Sequence, residues 1–206
     1  MALSNPAKSG VAILVGGVQF AILWMLSETL YPNYSVNSNY ISDLGTTCPG
    51  SGSPCYVPAA WWMFNASEVV FGILIAVTAY YFYRAYRYRP ATAMIAIAGL
   101  ALIGVGVLNE SFSPWHSLFS LVTFVFAGLS AIVTFRFQKT PLSYISVILG
   151  LISLAALILY VPSGGAFGTT IGIGPGGLER LIVYPVLMWS ISFGGHLIGQ
   201  EDVHTK

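Results

Sequence analysis

Carboxyl and imidazole groups are the side chains of this sequence that could do chemistry. Only 7% of its 206 residues are charged, and seven residues are acidic. Glu68 stands about ten residues inside a long apolar stretch, with Asn65 on the same helical face. Because a carboxylate is costly in lipid, an acid there indicates a functional position. Asp43 and Glu110 with a neutral His116 would suffice for general acid–base hydrolysis, so these three are the catalytic candidates.

Polar side chains at the ends of the apolar stretches fall at one depth if each stretch crosses a bilayer. This shared depth predicts a polar chamber among the helix ends. The opposing interpretation is that most of these acids lie at the membrane boundary and are merely hydrated. The residues at this level are Glu28, Asp43, Asn65, Glu68, Asn109, Glu110, His116, Glu179 and Arg180.

Arg180 is a base at a span boundary, at the level of five acids. A guanidinium is a rigid fork suited to a carboxylate, so we expect Asp43 or Glu110 to neutralise it, or Glu68 if the chamber is deep. Glu179 is adjacent in the chain and points about 100° away around a helix, which makes it a poorer partner. The alternative is that Arg180 reaches into external water.

The histidines and glycines give little support for a cofactor. His116 stands near the start of a predicted helix, where the dipole disfavours the charged imidazolium. His196 follows Arg180 by about 16 residues, roughly 24 Å along a helix, so it cannot share one haem with His116. The Gly-rich stretch Ser163–Gly177 lacks the strand and the Lys of a nucleotide loop, and is either a lid or a linker. We expect no cofactor, no metal and no nucleic-acid partner.

The length of the apolar stretches indicates the fold class. Hydrophobic residues make up 56% of the chain, and a bilayer-spanning helix needs about 20 of them in a row. Lipid offers no hydrogen-bond partner for backbone N–H and C=O groups, so only helices or a closed barrel can span it. The apolar runs are continuous, whereas barrel strands alternate apolar and polar residues, so helices are favoured. We predict an all-α, polytopic six-transmembrane-helix bundle in one membrane domain, 1–206, with spans at about 10–30, 59–83, 91–108, 114–135, 141–161 and 178–197.

The positions of the Lys and Arg residues predict the orientation of the protein in the membrane. Seven of the eight Lys and Arg residues fall on one side of a six-span threading, and Arg180 alone falls on the other. Cytoplasmic loops carry the excess of Lys and Arg, so both termini are predicted to be cytoplasmic and the long first loop, 31–58, to be external. The predicted location is the cell membrane.

The first loop holds both cysteines of the chain, Cys48 and Cys55. An external loop is oxidising, and the Gly and Pro residues between the cysteines let its ends meet, which predicts a disulfide. A metal pair is the alternative, although no His is nearby. Asn33 begins an Asn-Tyr-Ser sequon on the same loop and is a candidate for glycosylation.

Three stretches stand out when they are taken together: NYISDLG (Asn39–Gly45), PWHSLFS (Pro114–Ser120) and GLER (Gly177–Arg180), the last followed by Pro185 and Trp189. Together they resemble a family of archaeal and bacterial membrane proteins known as domain of unknown function 998. The cysteine-bearing insert after the first stretch departs from this pattern. The resemblance implies the six-span fold but no activity. It also implies three matching polar elements, namely Ser42 with Asp43, His116, and Glu179 with Arg180.

Three classes of function fit these observations. The polar cluster could fasten the helix ends of an accessory or structural subunit in a membrane assembly, and low charge with short tails favours this class. It could instead serve a hydrolase or transferase that acts on a lipid or lipid-linked substrate. A small-molecule binder or transporter is the third class, although the inner halves of the spans carry few ionisable groups. The expected partners are membrane lipids and other membrane subunits.

Overall fold

A computed structural model of the protein describes residues 3–46 and 58–200. The described chain is helical and contains no strand, so the predicted all-α fold is confirmed. Three short 3-10 turns join the helices, at Ser42–Gly45, Glu110–Phe112 and Thr134–Phe137. The α-helices are α1 (Asn5–Leu30), α2 (Pro58–Tyr86), α3 (Arg89–Val107), α4 (Trp115–Val133), α5 (Leu142–Ser163), α6 (Ala166–Thr170) and α7 (Gly174–Ile198).

Six of the described helices, all except α6, are long and apolar enough to cross a membrane. The predicted number of spans is therefore confirmed, and the protein is a multi-pass membrane protein. Several helices are longer than the apolar runs that predicted them. For example, α1 begins at Asn5, where the Ser4 side chain accepts a hydrogen bond from the backbone N–H of Ala7. Capping of this kind lets a helix continue past its apolar part.

The six long helices form a closed ring. Each packs chiefly against two neighbours, in the order α1, α2, α3, α4, α5 and α7, and α7 closes the ring against α1. The short helix α6 packs on α7. The space inside the ring is only partly filled by side chains, and this space becomes important for the site.

Paired glycines bring neighbouring helices into backbone contact. A Cβ atom on Gly72 would lie 2.7 Å from the carbonyl oxygen of Gly99, and one on Gly99 would lie 2.8 Å from that of Gly72. Small residues at crossing points are a common way for membrane helices to pack, because lipid supplies no hydrophobic drive between them. Reciprocal pairs also join α1 to α7 and α4 to α5, namely Gly10 with Gly194 and Gly128 with Gly150.

Basic and aromatic side chains meet at the end of the ring opposite the first loop. The Arg136 guanidinium lies 4.8 Å from the ring centre of Tyr88, and the Lys8 ammonium lies 5.4 Å from that of Tyr81. Such pairs are typical of the interface between membrane and water. Which side of the membrane this end faces stays a prediction. The predicted disulfide, Cys48 to Cys55, lies outside the described residues.

Candidate functional site

The first loop lies across the end of α7. The backbone N–H of Gly176 donates to the Asn37 carbonyl at 3.0 Å. A Cβ on Gly176 would overlap the carbonyl oxygens of Val36 and Asn39, so only glycine allows this approach. The Gly-rich stretch 163–177, for which the sequence left a lid or a linker open, thus includes the docking point of the first loop as well as α6.

Arg180 ties this loop to α1 and α7. Its Nη2 atom lies 2.7 Å from Glu28 Oε1 and 2.6 Å from the Tyr34 hydroxyl. Trp24 Nε1 donates to the same Glu28 oxygen at 2.9 Å. The Tyr34 hydroxyl in turn donates to a loop carbonyl, that of Tyr40, at 2.9 Å. The Nη1 atom of the arginine donates to three backbone carbonyls, those of Val36, Asn39 and Gly176.

The partner predicted for Arg180 is therefore wrong. Its ion pair is with Glu28 rather than with Asp43, Glu110 or Glu68. Because only 3% of Arg180 is exposed, the alternative of reaching into water is wrong as well. The sequence placed all these acids at one depth, but only the rotation of each helix about its own axis decides which carboxyl faces α7.

The turn Ser42–Gly45 is fixed by the side chains around it. Asp43 Oδ2 accepts from Asn39 Nδ2 at 2.8 Å and from the backbone N–H of Tyr40 at 3.0 Å. Asn65 Nδ2, on α2, donates to the Gly45 carbonyl at 3.0 Å. The predicted site residues Asp43 and Asn65 thus hold the turn in place over the ring.

Glu179 holds the residue just before this turn. Its Oε2 atom accepts a hydrogen bond from the backbone N–H of Ile41, and only 7% of the residue is exposed. The side chain of Asn109 accepts from the backbone N–H of Ser111 and so caps the second 3-10 turn. Glu179 and Asn109 therefore shape the two turns that carry Ser42 and Glu110.

Asp43 and Glu110 form a carboxyl pair between these two turns. Asp43 Oδ1 and Glu110 Oε2 are buried, and neither has an N–H or O–H partner among the described residues. The two carboxyls lie within hydrogen-bonding reach of each other, which requires one of them to keep its proton. Burial, and then the charge of Asp43, raise the pKa of Glu110 from 4.5 to about 7. Glu110 can therefore exchange a proton near neutral pH.

His116 is oriented by the loop before it. Its Nδ1 atom lies 2.9 Å from the Leu108 carbonyl oxygen, which can only accept, so Nδ1 carries a proton. In the neutral ring this leaves Nε2 as an acceptor. The described residues give Nε2 no hydrogen-bond partner, and the side chain lines empty space. A histidine held in this way can act as a base.

Two connected spaces meet at these residues. The first, which we call the vestibule, is about 460 Å³, and its walls include Glu110, Ser113 and Tyr160. The second, the inner cavity, is about 90 Å³ and runs down the middle of the ring. The two share a boundary formed by Ser42, His116, Ser120, Phe124 and Glu179.

The vestibule opens through the side of the ring. Leu121 on α4 and Val161 on α5 line it, and they are 38% and 54% exposed on the outer surface of the bundle. The vestibule therefore reaches the outer surface of the bundle in the gap between α4 and α5, at the first-loop end of these helices.

The inner cavity is apolar except for a few groups. Its walls include Phe20, Phe71 and Leu102, whereas Glu68 and Trp189 also line it. Glu68 Oε2 and Trp189 Nε1 are buried without a hydrogen-bond partner among the described residues. An unpaired buried polar group is costly, which in a native structure calls for an explanation such as a bound molecule.

Comparison with known proteins identifies the family. A family model described as "Protein of unknown function (DUF998)" matches residues 14–196. The chain belongs to this family. No curated protein and no solved structure matches it. The family description assigns no activity, so any function for this DUF998 protein has to come from its site.

The structure separates the predicted polar cluster into two parts. Ser42, Glu68, Glu110, His116 and Glu179 line the vestibule or the inner cavity. Asp43, Asn65, Asn109 and Arg180 lie behind this wall and hold the loop and the turns. The described residues contain no group of three His, Cys, Asp or Glu side chains placed to hold a metal ion.

Sequence reasoning missed several residues of the site. Ser113, Ser117 and Ser120 line the vestibule beside His116. Their spacing of three and four residues marks one helical face, and this signal was available in the sequence. Glu28 was recognised only as one more acid at the common depth. The unpaired Trp189 gave no signal, because a tryptophan in a membrane helix is ordinary.

Proposed function

We propose that this DUF998 protein is a membrane-embedded enzyme that hydrolyses or transfers a bond of a lipid or lipid-linked substrate by general acid–base catalysis. The observation that supports this function is the continuity of a polar vestibule, open to lipid, with an apolar inner cavity. A hydrocarbon chain fits the vestibule, whose volume of about 460 Å³ is within the range of about 300–1,000 Å³ that is typical of ligand sites, whereas the adjoining inner cavity of about 90 Å³ holds only a small group. The polar end of the same molecule then stays beside Glu110 and His116.

The side chains at the boundary have complementary roles in this proposal. His116 Nε2 removes a proton from the attacking water or hydroxyl group, while protonated Glu110 gives one to the leaving group. Asp43 does not line either space and is a positioning residue, because it accepts the Glu110 proton in a hydrogen bond and orders the turn. Ser42 and Ser120 supply hydroxyls that can orient the polar end of the substrate.

The membrane setting completes the proposal. Lys8, the Arg84–Arg89 segment and Arg136 lie at one end of the ring, and the rule that loops rich in Lys and Arg stay inside places that end in the cytoplasm. Both termini are then cytoplasmic, and the first loop lies outside the cell membrane. The vestibule would receive its substrate from the outer leaflet.

An accessory or structural role in a membrane assembly is the second candidate, and the Arg180 network supports it. That network is buried, makes five hydrogen bonds and fastens the first loop to two helices. It explains part of the polar cluster without any chemistry. It does not explain the vestibule or the unpaired groups that line the inner cavity.

Lipid conversion by the purified protein tests the enzyme. The protein is reconstituted into nanodiscs made from total membrane lipid, and the lipids are followed by mass spectrometry. We expect one lipid species to be consumed by the unaltered protein and not by Glu110→Gln or His116→Gln, whereas Glu201→Gln, in the C-terminal tail, keeps the activity. If no species changes and no long-chain molecule copurifies with the protein, the enzyme is excluded and the accessory role is favoured.

A further inference from the structure

The charges around the vestibule and the inner cavity are all of one sign. Glu68, Glu110 and Glu179 line these spaces, and no Lys or Arg is among the described residues that do so. Glu68 is only 6% exposed, and its Oε2 atom has no hydrogen-bond partner among the described residues. Such a carboxyl deep in an apolar wall needs a donor or a cation from a bound molecule.

The nearest guanidinium cannot supply that charge. Arg180 lines neither space, is 3% exposed and donates its Nη hydrogens to Glu28, to Tyr34, to two loop carbonyls and to one carbonyl of α7. To reach a ligand it would have to release the first loop. Among the described residues, the site therefore has no free Lys or Arg side chain to pair with the carboxyls of Glu68 and Glu179.

The presence of carboxyls and the lack of Lys or Arg among the described lining residues argue against a phosphate-bearing head group. Phosphate sites use Arg or Lys forks, or the N-terminal end of a helix. The beginning of α4 at Trp115 is the feature here that favours an anion, and it is equivalent to about half a positive charge. A phosphate in the vestibule would lie beside the carboxyl of Glu179, and no Lys or Arg among the described lining residues would offset its charge.

We infer that the substrate of this site is an amphiphile whose polar end carries a protonated amine rather than a phosphate. Its hydrocarbon chain lies in the vestibule, and its ammonium group enters the inner cavity, where Glu68 and Glu179 offer carboxyl oxygens as acceptors. An ammonium has three donors and no acceptor, which matches a wall rich in acceptor oxygens. This inference rests on the proposed function and adds the chemical class of the substrate.

Three amphiphiles with the same saturated chain test the head group: octadecylamine, octadecanol and octadecyl phosphate. Binding to the full-length protein in a non-ionic detergent is measured by native mass spectrometry and by thermal shift. We expect the amine to bind at least about tenfold more tightly than the alcohol, and the phosphate to bind most weakly. Glu68→Gln should reduce the preference for amine over alcohol by about tenfold and leave alcohol binding unchanged. Glu201→Gln is the matched control and should change neither.

The outcomes separate this inference from the proposed function. If the amine and the alcohol bind equally, or the phosphate binds most tightly, the amine class is wrong while the vestibule still accepts a long chain. If none of the three amphiphiles binds, both the inference and the proposed function fail. If Glu68→Gln destabilises the fold, the same ranking measured with Glu179→Gln replaces it as the test.

Discussion

Arg180 and Glu110 show two opposite uses of an ionisable side chain at one end of the same bundle. Both Nη atoms of Arg180 are held by an acid, a tyrosine and backbone carbonyls, and a charge held in this way fixes structure. Glu110 shares a proton with Asp43 and has no cation beside it, so its proton is easily exchanged near neutral pH. The difference follows from the partners of each residue rather than from its depth.

The pairing of Arg180 with Glu28 predicts a strong energetic coupling. Glu28→Gln should cost about 3–5 kcal/mol of unfolding free energy, because it strands a buried guanidinium. The double variant Glu28→Gln/Arg180→Ala should be clearly less destabilised than the sum of the two single variants. Thermal unfolding in detergent measures this cycle. In a second cycle, Glu110→Gln replaces Glu28→Gln. Its effect and that of Arg180→Ala should add within about 0.5 kcal/mol, and stronger coupling there would contradict the ion pair of Arg180 with Glu28.

The raised pKa of Glu110 predicts a pH dependence of stability. The carboxyl is more acidic in the unfolded chain, so folding is most favourable while the group is protonated. The free energy of unfolding should therefore fall as the pH rises from 4.5 to about 7. Because Glu110 is partly exposed, the change should be on the order of 1–2 kcal/mol. The thermal unfolding midpoint, measured across this pH range, should depend much less on pH in Glu110→Gln than in the unaltered protein. In Glu201→Gln the pH dependence should be unchanged.

Short elements rather than long helices complete the site. The turn Ser42–Gly45 and the turn Glu110–Phe112 face each other, and the Thr46 hydroxyl lies 2.7 Å from that of Ser111. Both turns depend on the first loop being seated on α7. Backbone approach at Gly176 is thus a condition for the carboxyl pair, although Gly176 touches neither carboxyl.

Replacement of Gly176 by alanine should unseat the first loop. The new Cβ would overlap two loop carbonyl oxygens, and overpacking of this kind costs about 1–3 kcal/mol. Gly195→Ala, on the same helix α7, is the matched control, since a Cβ there meets nothing within 4 Å. Hydrogen exchange of residues 31–46 should rise in Gly176→Ala and stay unchanged in Gly195→Ala. Equal exchange in both variants would mean that the loop does not depend on this contact.

The whole molecule is a ring with a hollow centre. A close-packed core would be more stable, because each void loses the contacts of its lining atoms. Paired glycines draw neighbouring helices together, so the inner cavity is not the result of loose packing everywhere. The ring thus packs tightly at its seams and leaves a cavity of about 90 Å³ along its axis.

The predicted topology can be tested by labelling of single cysteines in a variant that lacks Cys48 and Cys55. Ser38→Cys in the first loop and Thr140→Cys between α4 and α5 are both at exposed positions. A membrane-impermeant maleimide should label the first from outside intact cells and the second only after lysis. Labelling of both from the same side would contradict six spans with cytoplasmic termini.

The predicted disulfide between Cys48 and Cys55 has a direct test. Intact-mass measurement without reductant should give a chain two hydrogens lighter than the reduced chain. A loop this short is stabilised by about 2–3 kcal/mol in the entropy treatment, so reduction should lower the thermal midpoint only modestly. Two free thiols in protein purified without reductant would exclude the bond.

The sequence by itself determined the fold class, the number of spans and the depth of the polar residues. These properties depend on local quantities. In lipid, the backbone N–H and C=O groups of each span must hydrogen-bond within their own helix, and about 20 apolar residues are needed to cross the bilayer. The level shared by Glu68, Glu110 and His116 could therefore be read along the chain. The face that Ser113, Ser117 and Ser120 form beside His116 could have been read in the same way.

Only the tertiary structure decided which of these residues meet. Arg180 pairs with Glu28 and Asp43 pairs with Glu110, because the order of helices in the ring and the rotation of each one bring distant segments face to face. The vestibule and the inner cavity are likewise spaces between elements, and no single stretch of sequence contains them. The depth of a residue depends on its position along one helix, so it could be predicted from the sequence. Which residues pair depends on how two segments pack together, so it could not.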